Sequence, residues 1–416
     1  MTAGHVLVAP DKFRGSLSAA RVADHVARGL RRVRPRTPVV GMPVADGGDG
    51  TVDAAVASGF HRVERRVTGP TGEDVVASFA VRDAVAVVEL AQASGLALLP
   101  SGRPAPLTAS SFGTGELIAA ALRRLRRTRF GLLRGAAAPV CRIVLGLGGS
   151  ASTDGGTGMM QALGARFLDA EGKELPSGGA ALNDLASVDL SGFVRPEGVE
   201  FVVAGDVDNP LLGPEGAAAV YAPQKGAARE DVAVLETGLA RLAEIVERMP
   251  GESGSDEDRI GGRPEAGSSG TGVGGVYAGR VADRPGAGAA GGVGFAAMAF
   301  LDATMRPGAD LLLDLLGFAE KAVGARLVVT GEGSLDAQTL RGKAPAGVAR
   351  AAARAGVPVV AVCGGRSLTD DELTRAGIQA AYALTDLEPD PLRRIREAGP
   401  LLEHLAERVA LDWLSP

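Results

Sequence analysis

Four polar, glycine-rich segments follow apolar runs of this sequence, and each carries residue types suited to binding anions or moving protons. They are loop 1 (residues 11–16), loop 2 (46–51), loop 3 (146–156) and loop 4 (330–345). In an α/β sheet, such segments gather at the carboxyl ends of the strands, where ligands bind. The four together therefore predict one shared polar site.

Loop 1 places two cations, Lys12 and Arg14, shortly before a predicted helix that begins near Ser18. Backbone N–H groups, the helix dipole and the two cations can together hold an anion, with Ser16 as a further donor. The alternative is a plain helix cap made by Ser16 or Ser18 with exposed cations beside it. The sequence leaves both interpretations open.

Loop 2 holds two carboxylates, Asp46 and Asp49, among the glycines Gly47, Gly48 and Gly50. Carboxylates in such a setting can orient a hydroxyl, accept its proton or help to hold Mg²⁺. An Asp/Gly turn is the alternative. Three glycines in five residues directly after a buried strand favour the site.

Loop 3 offers backbone amides and hydroxyls that can wrap a polyphosphate. The candidate nucleotide-binding residues are Gly148, Gly149, Ser150, Ser152 and Thr153, and Asp154 is a candidate metal ligand.

The same loop also fits a dinucleotide fingerprint, G-x-G-x-x-A, through Gly146, Gly148 and Ala151. An acid, Asp169, follows at about the right distance for this fingerprint. An NAD-dependent dehydrogenase is therefore a second hypothesis, beside the polyphosphate-binding enzyme that loop 3 otherwise indicates. A Ser/Thr/Asp run separates the glycines from the next helix, whereas the fingerprint places its glycines at the helix start. A non-catalytic metabolite-binding protein is a third hypothesis.

Loop 4 contains Glu332 and Asp336, which can position a metal or a substrate, and Lys343, which precedes a helix and can meet a phosphate. A surface loop with unpaired charges is the alternative. Minor candidates lie elsewhere in the sequence: Asp206, Asp208, Asn209, residues 224–226, and Gly113 with Thr114, which are also typical of a helix start.

Composition narrows the class of protein. The 416 residues carry a net charge of −5 with a pI near 5.6, which argues against nucleic acid as a partner. The basic run at 123–127 predicts a solvated helix face. Cys141 and Cys363 lie in or beside apolar runs and are expected to be buried and unpaired. No zinc spacing, P-loop, signal peptide or membrane-length apolar stretch occurs, so a soluble cytoplasmic protein is expected.

Alternating strand and helix patterns occur at both ends of the chain, and a hairpin pattern follows residue 61. We therefore predict an α/β fold with two domains. Residues 1–61 and 292–416 would form a discontinuous Rossmann-like or flavodoxin-like parallel-sheet domain. Residues 62–291 would form an inserted α+β domain, with a flexible Gly/Ser-rich insertion at about 250–287.

Several ordered blocks of this sequence resemble the bacterial glycerate kinases of type I. They are APDKFRGS (9–16), ADGGDGT (45–51), FGTGELI (112–118), GLGGSASTDGGTG (146–158) with QALG (161–164), DNPL (208–211), PQKGA (223–227), and GEGSLDAQT (331–339) with GKAP (342–345). The insertion and a basic stretch near 126–138 are longer than that family leads us to expect.

The resemblance implies a kinase that uses ATP and Mg²⁺ on D-glycerate, usually giving 2-phosphoglycerate, in a two-domain architecture with a split α/β domain. It leaves open whether the protein is a monomer or a homodimer.

On this basis we assign hypothetical roles to the four loops. Lys12, Arg14 and Lys343 would neutralise phosphate or the glycerate carboxylate, and Asp46 or Asp49 would orient the attacking hydroxyl. Loop 3 would cradle the ATP phosphates, with Gly113 and Thr114 as further cofactor-binding candidates. The candidate substrate-binding residues are Arg14, Ser16, Gly47, Gly48, Asp206 and Asn209. Glu332, Asp336 and Asp154 are the candidate metal ligands, with Asp206 an alternative.

Overall fold

The computed structural model describes residues 4–132, 140–193, 196–249 and 280–415. Its strands are β1 (His5–Pro10), β2 (Val39–Gly41), β3 (His61–Thr68), β4 (Asp74–Arg82), β5 (Val85–Glu89), β6 (Cys141–Gly146), β7 (Arg166–Leu168), β8 (Ser187–Asp189), β9 (Val199–Ala204), β10 (Thr304–Arg306), β11 (Ala325–Leu335), β12 (Val359–Arg366) and β13 (Ala380–Ala383).

The helices connect these strands and cover the faces of the sheets. They are α1 (Ala19–Val33), α2 (Thr51–Ala57), α3 (Ala91–Ser94), α4 (Phe112–Leu132), α5 (Thr157–Ala162), α6 (Ala217–Tyr221), α7 (Arg229–Glu247), α8 (Ala289–Leu301), α9 (Gly308–Leu315), α10 (Phe318–Ala322), α11 (Ala344–Arg354), α12 (Asp370–Arg375), α13 (Pro391–Arg396) and α14 (Ala398–Trp413).

Two larger sheets organise these elements. The first has the strand order β13-β12-β11-β1-β2, and all its strands are parallel. The second has the order β10-β9-β6-β5-β4-β3. Its first four strands are parallel, and β4 and β3 extend it as an antiparallel hairpin. The α/β fold with parallel sheets agrees with the sequence prediction.

Alternating apolar residues bury both faces of each sheet. In β5, Val87 faces one side while Ala86 and Val88 face the other, and β1 alternates in the same way. Helices α1 and α14 cover the outer face of the first sheet, and α4, α5, α7 and α8 cover the outer face of the second. Helices α9 and α11, with residues of α2, pack in one core that both sheets share.

The first sheet combines strands from both ends of the chain, because β1 and β2 come from the N-terminal part and β11 to β13 from the C-terminal part. Helix α8 packs in the core of the second sheet, and β10 pairs with β9. The division into two domains stays a prediction. The sheets favour ending its inserted part near residue 307 rather than at 291.

One element differs from the sequence expectation. Loop 4 begins as a strand, because β11 continues to Leu335 by pairing with residues 363–366 of β12. Elsewhere, β7 pairs with β8, and a single bridge joins Leu168 to Glu174. Helices α9 and α10 are separated at Gly317, whose φ is 74°.

The exposure of the basic run and the burial of the two cysteines agree with the sequence expectations. Arg123, Arg124, Arg126 and Arg127 are exposed on α4, and both cysteines are buried and free. Most of the predicted insertion, residues 250–279, lies outside the described residues. Within the described ranges, no helix is long and apolar enough to cross a membrane.

On the outer side of the first sheet, a cluster of charged side chains connects α1 to α14. Glu403 is buried, and its carboxylate accepts hydrogen bonds from His25 Nδ1 at 2.7 Å and from Arg32. Arg28 lies 3.1 Å away, and Arg32 also reaches Glu407 at the surface. Burial raises the pKa of Glu403, but the hydrogen bond from His25 and the charges of Arg32 and Arg28 outweigh it, so that pKa lies below its usual value.

We expect Glu403→Gln to lower the free energy of unfolding by about 1–3 kcal/mol, because the buried His25 and the two arginines lose a charged acceptor. The depressed pKa means that this contribution is present above the ordinary carboxyl pKa and is lost as the pH falls through the folded-state value. Denaturant unfolding at neutral and acidic pH measures both effects. Glu407→Gln is the matched control and should change stability by at most about 0.5 kcal/mol. Equal effects of the two substitutions at neutral pH would show that the buried position of Glu403 adds nothing to stability.

Candidate active site

Loops 1 and 2 meet where β1 and β2 end. Lys12 Nζ donates a 2.5 Å hydrogen bond to the backbone oxygen of Asp49. Beside this contact, a cavity of about 350 Å³ is lined by Lys12, Arg14, Ser16 and Asp49, among other residues of loop 1. Ser18, not Ser16, caps helix α1 by accepting from the Arg21 amide. Ser16 instead donates to the Phe13 oxygen, so its hydroxyl lies in the turn that shapes the cavity.

Loops 2 and 3 touch through their main chains. The Gly148 amide donates to the Gly47 oxygen at 3.1 Å. A Cβ atom on Gly146 would lie 2.6 Å from that same oxygen, and one on Gly148 would overlap the backbone of Gly48. Only glycine allows this approach. The contact joins the carboxyl end of the first sheet to that of the second.

Loop 4 reaches the same place because β11 lies beside β1. The Asp11 amide donates to the Gly331 oxygen at 2.8 Å. Further along, Gly342 comes close enough to Asp206 that a Cβ atom there would lie 3.5 Å from the Asp206 carboxylate. Asp206 follows β9 and accepts a 2.8 Å hydrogen bond from the Gly308 amide, at the start of α9. The ends of β1, β9 and β11 therefore share one crevice.

Four carboxylates lie close enough in this crevice to repel one another. Burial raises the pKa of Asp11 to about 7, and the charges of Asp46 and Glu332 add to the rise. Burial also raises the pKa of Glu332, and Asp46 contributes again. Asp206 keeps contact with solvent, yet the surrounding protein raises its pKa to about 7, with Asp46 adding to the shift. The charge of Asp46 thus contributes to the raised pKa of each of the other three carboxylates.

The cation of loop 4 lies between two acids. Lys343 Nζ is 3.8 Å from Glu332 and 4.0 Å from Asp336. The other Glu332 oxygen accepts a 2.5 Å hydrogen bond from the Thr339 hydroxyl. Lys343 is partly exposed and precedes α11. Its ammonium can therefore leave these carboxylates and pair with a phosphate without crossing the protein interior.

Some predicted site residues lie behind the crevice. The Asp154 carboxylate accepts hydrogen bonds from the amides of Ser111, Gly156 and Gly158 and from the Ser111 hydroxyl, which supports loop 3 from within. Gly113 and Thr114 are buried, and Thr114 donates to Ser94.

Asn209 is also engaged locally. Its amide group donates to the Glu215 oxygen at 2.7 Å, and its oxygen accepts from the Tyr221 hydroxyl at 2.5 Å. Of loop 3, Gly149 is exposed, while Ser152 and Thr153 are fully buried.

Among the residues that the structure describes, no group of three or more His, Cys, Asp or Glu side chains is arranged to hold a metal ion by itself. Mg²⁺ does not require such a group, because it is usually held by one or two carboxylates together with phosphate oxygens of the substrate and water. Asp11, Asp206 and Glu332 have pKa values raised by burial and by neighbouring carboxylates, and such a group suits a divalent cation of this kind.

Comparison with known proteins decides the family. A family profile described as "Glycerate kinase family" matches residues 6–414. The glycerate kinase of Bacillus subtilis is 40% identical over 91% of this chain and 90% of its own, and the glycerate 2-kinase of Escherichia coli is 39% identical with the same coverage. A crystal structure described as a glycerate kinase 2 of Salmonella typhimurium superposes with a TM-score of 0.76 and 37% identity, covering 99% of this chain and 98% of that one.

The chain belongs to the glycerate kinase family. This membership does not favour the dehydrogenase hypothesis, and the geometry of loop 3 agrees. Helix α5 begins at Thr157, well beyond the fingerprint glycines. Gly146 and Gly148 pack against loop 2 instead of opening toward a helix N-terminus.

One positioning residue of this family member is not predicted by the sequence patterns. Glu89 ends β5 and is 1% exposed, and its two carboxylate oxygens accept from the amides of Gly50 at 3.2 Å and Val52 at 2.9 Å. It thereby fixes the exit of loop 2 and occupies the N-terminus of α2, so a phosphate cannot bind there. The only sequence signal is an acid at the end of an apolar strand.

Substitution of Gly308 tests how Asp46 is placed. A Cβ atom on Gly308 would overlap the Asp46 backbone oxygen, so Gly308→Ala must displace loop 2. We expect kcat for glycerate phosphorylation to fall by about tenfold to a hundredfold, since small displacements in an active site have effects of that order. Gly205→Ala is the matched control, because its nearest neighbour is a flexible methionine atom at 3.5 Å. Similar kcat values for both variants would rule out this placement.

The raised pKa of Asp11 predicts a pH-dependent stability. Its ordinary value is 3.8, so between about pH 4 and about pH 7 the unfolded protein loses this proton while the folded protein keeps it, and the free energy of unfolding falls progressively as the pH rises. Asp11→Asn removes this cost. The variant should exceed the wild type in melting temperature by more at about pH 8 than at about pH 5, measured by calorimetry with a chelator present. Asp24→Asn, exposed on α1, is the control and should show no such difference. A pH-independent effect of Asp11→Asn would contradict the assignment.

Proposed function

We propose that this protein transfers the γ-phosphoryl group of ATP to a hydroxyl of D-glycerate, with the 2-hydroxyl favoured. The observation that carries the proposal is the convergence of loops 1 to 4 on one crevice at the carboxyl ends of both sheets. Phosphoryl transfer depends on positioning and charge neutralisation more than on covalent help. The crevice offers both, and membership in the glycerate kinase family supports the same reaction.

Glycerate would bind in the cavity beside loop 1. Lys12 and Arg14 supply positive charge for its carboxylate, and Ser16 supplies a hydroxyl. Lys12 is held at one end of this cavity by the Asp49 oxygen, which directs its ammonium toward loop 2. A small hydroxy acid placed there would have its hydroxyl groups next to the carboxylates of the crevice.

ATP would lie along the outer edge of loop 3. Gly149 leaves backbone uncovered there, and a main-chain amide of this kind can receive a phosphate oxygen. Lys343 would leave Glu332 and Asp336 to meet the γ-phosphate, whose negative charge is greater than that of either acid.

Asp46 is favoured over Asp49 as the group that orients the attacking hydroxyl. Its carboxylate accepts the Gly48 amide at 3.1 Å, which fixes its direction, and its charge acts on three other carboxylates of the crevice. The glycerate oxygen attacks the γ-phosphorus, the bond from that phosphorus to the bridging oxygen of ADP breaks, and the hydroxyl proton passes to Asp46. The products are phosphoglycerate and ADP.

Glu332, Asp336 or Asp206 would help to hold Mg²⁺. When bound, the ion would supply positive charge that neutralises the phosphate groups of ATP. A cytoplasmic location and a monomeric or homodimeric state belong to the same proposal.

A protein that binds these metabolites without turnover is the remaining alternative. A coupled assay for ADP release in the presence of D-glycerate separates the two, because only the kinase releases ADP continuously.

Phosphorus NMR of a reaction with ATP, Mg²⁺ and D-glycerate tests the proposal and identifies the phosphorylated hydroxyl. We expect Asp46→Asn and Lys343→Ala each to lower kcat by about a hundredfold or more, because one removes the proton acceptor and the other a cation at the transferred phosphoryl group. Asp24→Asn and Lys173→Ala are matched controls on exposed positions and should keep wild-type kcat. Near wild-type kcat in both Asp46→Asn and Lys343→Ala would overturn the assigned roles.

A further inference from the structure

A buried lysine supports loop 3 through two hydrogen bonds. Lys225 is 3% exposed, and its Nζ donates to the Ser150 hydroxyl oxygen at 2.8 Å and to the Ser152 backbone oxygen at 2.5 Å. Its backbone is fixed by Gly226, whose φ is 95° and where a Cβ atom would overlap Pro104. The mechanism described above does not use this lysine.

The surroundings of Lys225 do not neutralise its charge. Within the described ranges, no carboxylate lies within ion-pair distance of its Nζ, and the charged group that acts on it is Asp154. The Asp154 oxygens are already engaged by Ser111, Gly156 and Gly158. Burial therefore lowers the pKa of Lys225 to about 7. An isolated buried ammonium is costly and calls for a compensating anion.

Loop 3 also has hydrogen-bonding groups left over beside this ammonium. An ammonium only donates, so Ser150 Oγ accepts from Lys225 and its own proton remains available. Ser152 Oγ and Thr153 Oγ1 are buried and have no hydrogen-bond partner among the described residues. Three hydroxyls in four residues thus have unused capacity next to an uncompensated positive charge, which points to an anionic ligand.

We propose that Lys225 is a positioning residue for the nucleotide: its ammonium fixes Ser150 as an acceptor, directs the Ser150 hydroxyl proton to a phosphate oxygen of ATP, and supplies buried positive charge opposite that phosphate. This inference rests on the proposed kinase function and deepens it. In this arrangement the outer backbone edge of loop 3 follows the phosphates. Lys225, buried against the loop, sets the local charge and the direction of the Ser150 hydroxyl.

Proton uptake on nucleotide binding is the sharpest test. A phosphate next to Lys225 favours the charged form of this side chain. At about pH 8, Lys225 is mostly neutral in the protein without nucleotide. The wild type should therefore take up close to one proton when it binds a non-hydrolysable ATP analogue with Mg²⁺. At about pH 6 the lysine is already charged, and the uptake should be small. Calorimetry in buffers with different ionisation enthalpies measures this number.

Two substitutions of Lys225 separate charge from structure. Lys225→Arg keeps a permanent charge and Lys225→Met keeps a similar volume, and both should abolish the uptake at about pH 8. We expect Lys225→Met to raise KM for ATP by about tenfold to a hundredfold, the usual weight of a hydrogen bond to a charged group, with KM for glycerate unchanged. Its melting temperature should not fall, because an apolar side chain replaces a buried charge.

Ser150→Ala provides a test that keeps the Lys225 side chain, whose ammonium still donates to the Ser152 oxygen. It should also raise KM for ATP, and its effect should not add to that of Lys225→Met, since both remove the same contact. Equal proton uptake by the wild type and Lys225→Arg, or an unchanged KM for ATP in Lys225→Met, would overturn the role of Lys225 alone. A wild type that forms no phosphoglycerate would instead overturn the proposed kinase function, and this inference with it.

Discussion

The contact on which the rest of the site depends is made by main chain alone. The Gly148 amide meets the Gly47 oxygen where the carboxyl ends of the two sheets face each other. Because side chains are absent on both sides, loop 2 rests directly on the ends of β6 and β9. Asp46 is consequently positioned from both sheets at once. A larger residue in this contact would separate the acids of loop 2 from the backbone of loop 3.

The charges of the crevice follow from this packing. Asp11, Asp206 and Glu332 are brought together around Asp46, and burial together with repulsion from neighbouring carboxylates raises the pKa values of these three acids. Lys343 is shared between the two acids of loop 4. Such an arrangement costs stability in the free protein, and a cation and a polyphosphate relieve the cost when they bind.

Much of this architecture can be inferred from the sequence, because strand periodicity and glycine-rich loops are local signals. The parallel sheet built from both ends of the chain, the apolar runs and the convergence of loops 1 to 4 are of this kind. What lies outside local signals depends on partners distant in sequence. Residues 331–334 alternate glycine with polar residues, and they form a strand only because β12 offers an edge.

The same reasoning explains the residues whose roles the sequence alone does not reveal. Glu89 is one acid at the end of an apolar strand, and its role becomes visible only when the amides of Gly50 and Val52 are placed beside it. Lys225 belongs to a minor candidate segment of the sequence, and its burial against loop 3 makes it prominent. Helix α8 is apolar on every face, so its pattern does not show which sheet it covers.

The position of β1 has a consequence for how the chain is made. This strand lies between β2 and β11, and β11 begins only at Ala325. During synthesis, the N-terminal strand therefore leaves the ribosome long before its second neighbour exists. The strands of the other sheet, residues 61–306, are all available earlier. Strand β1 is thus among the last strands to be enclosed although it is translated before the others, and until then it presents an apolar edge that other chains can pair with.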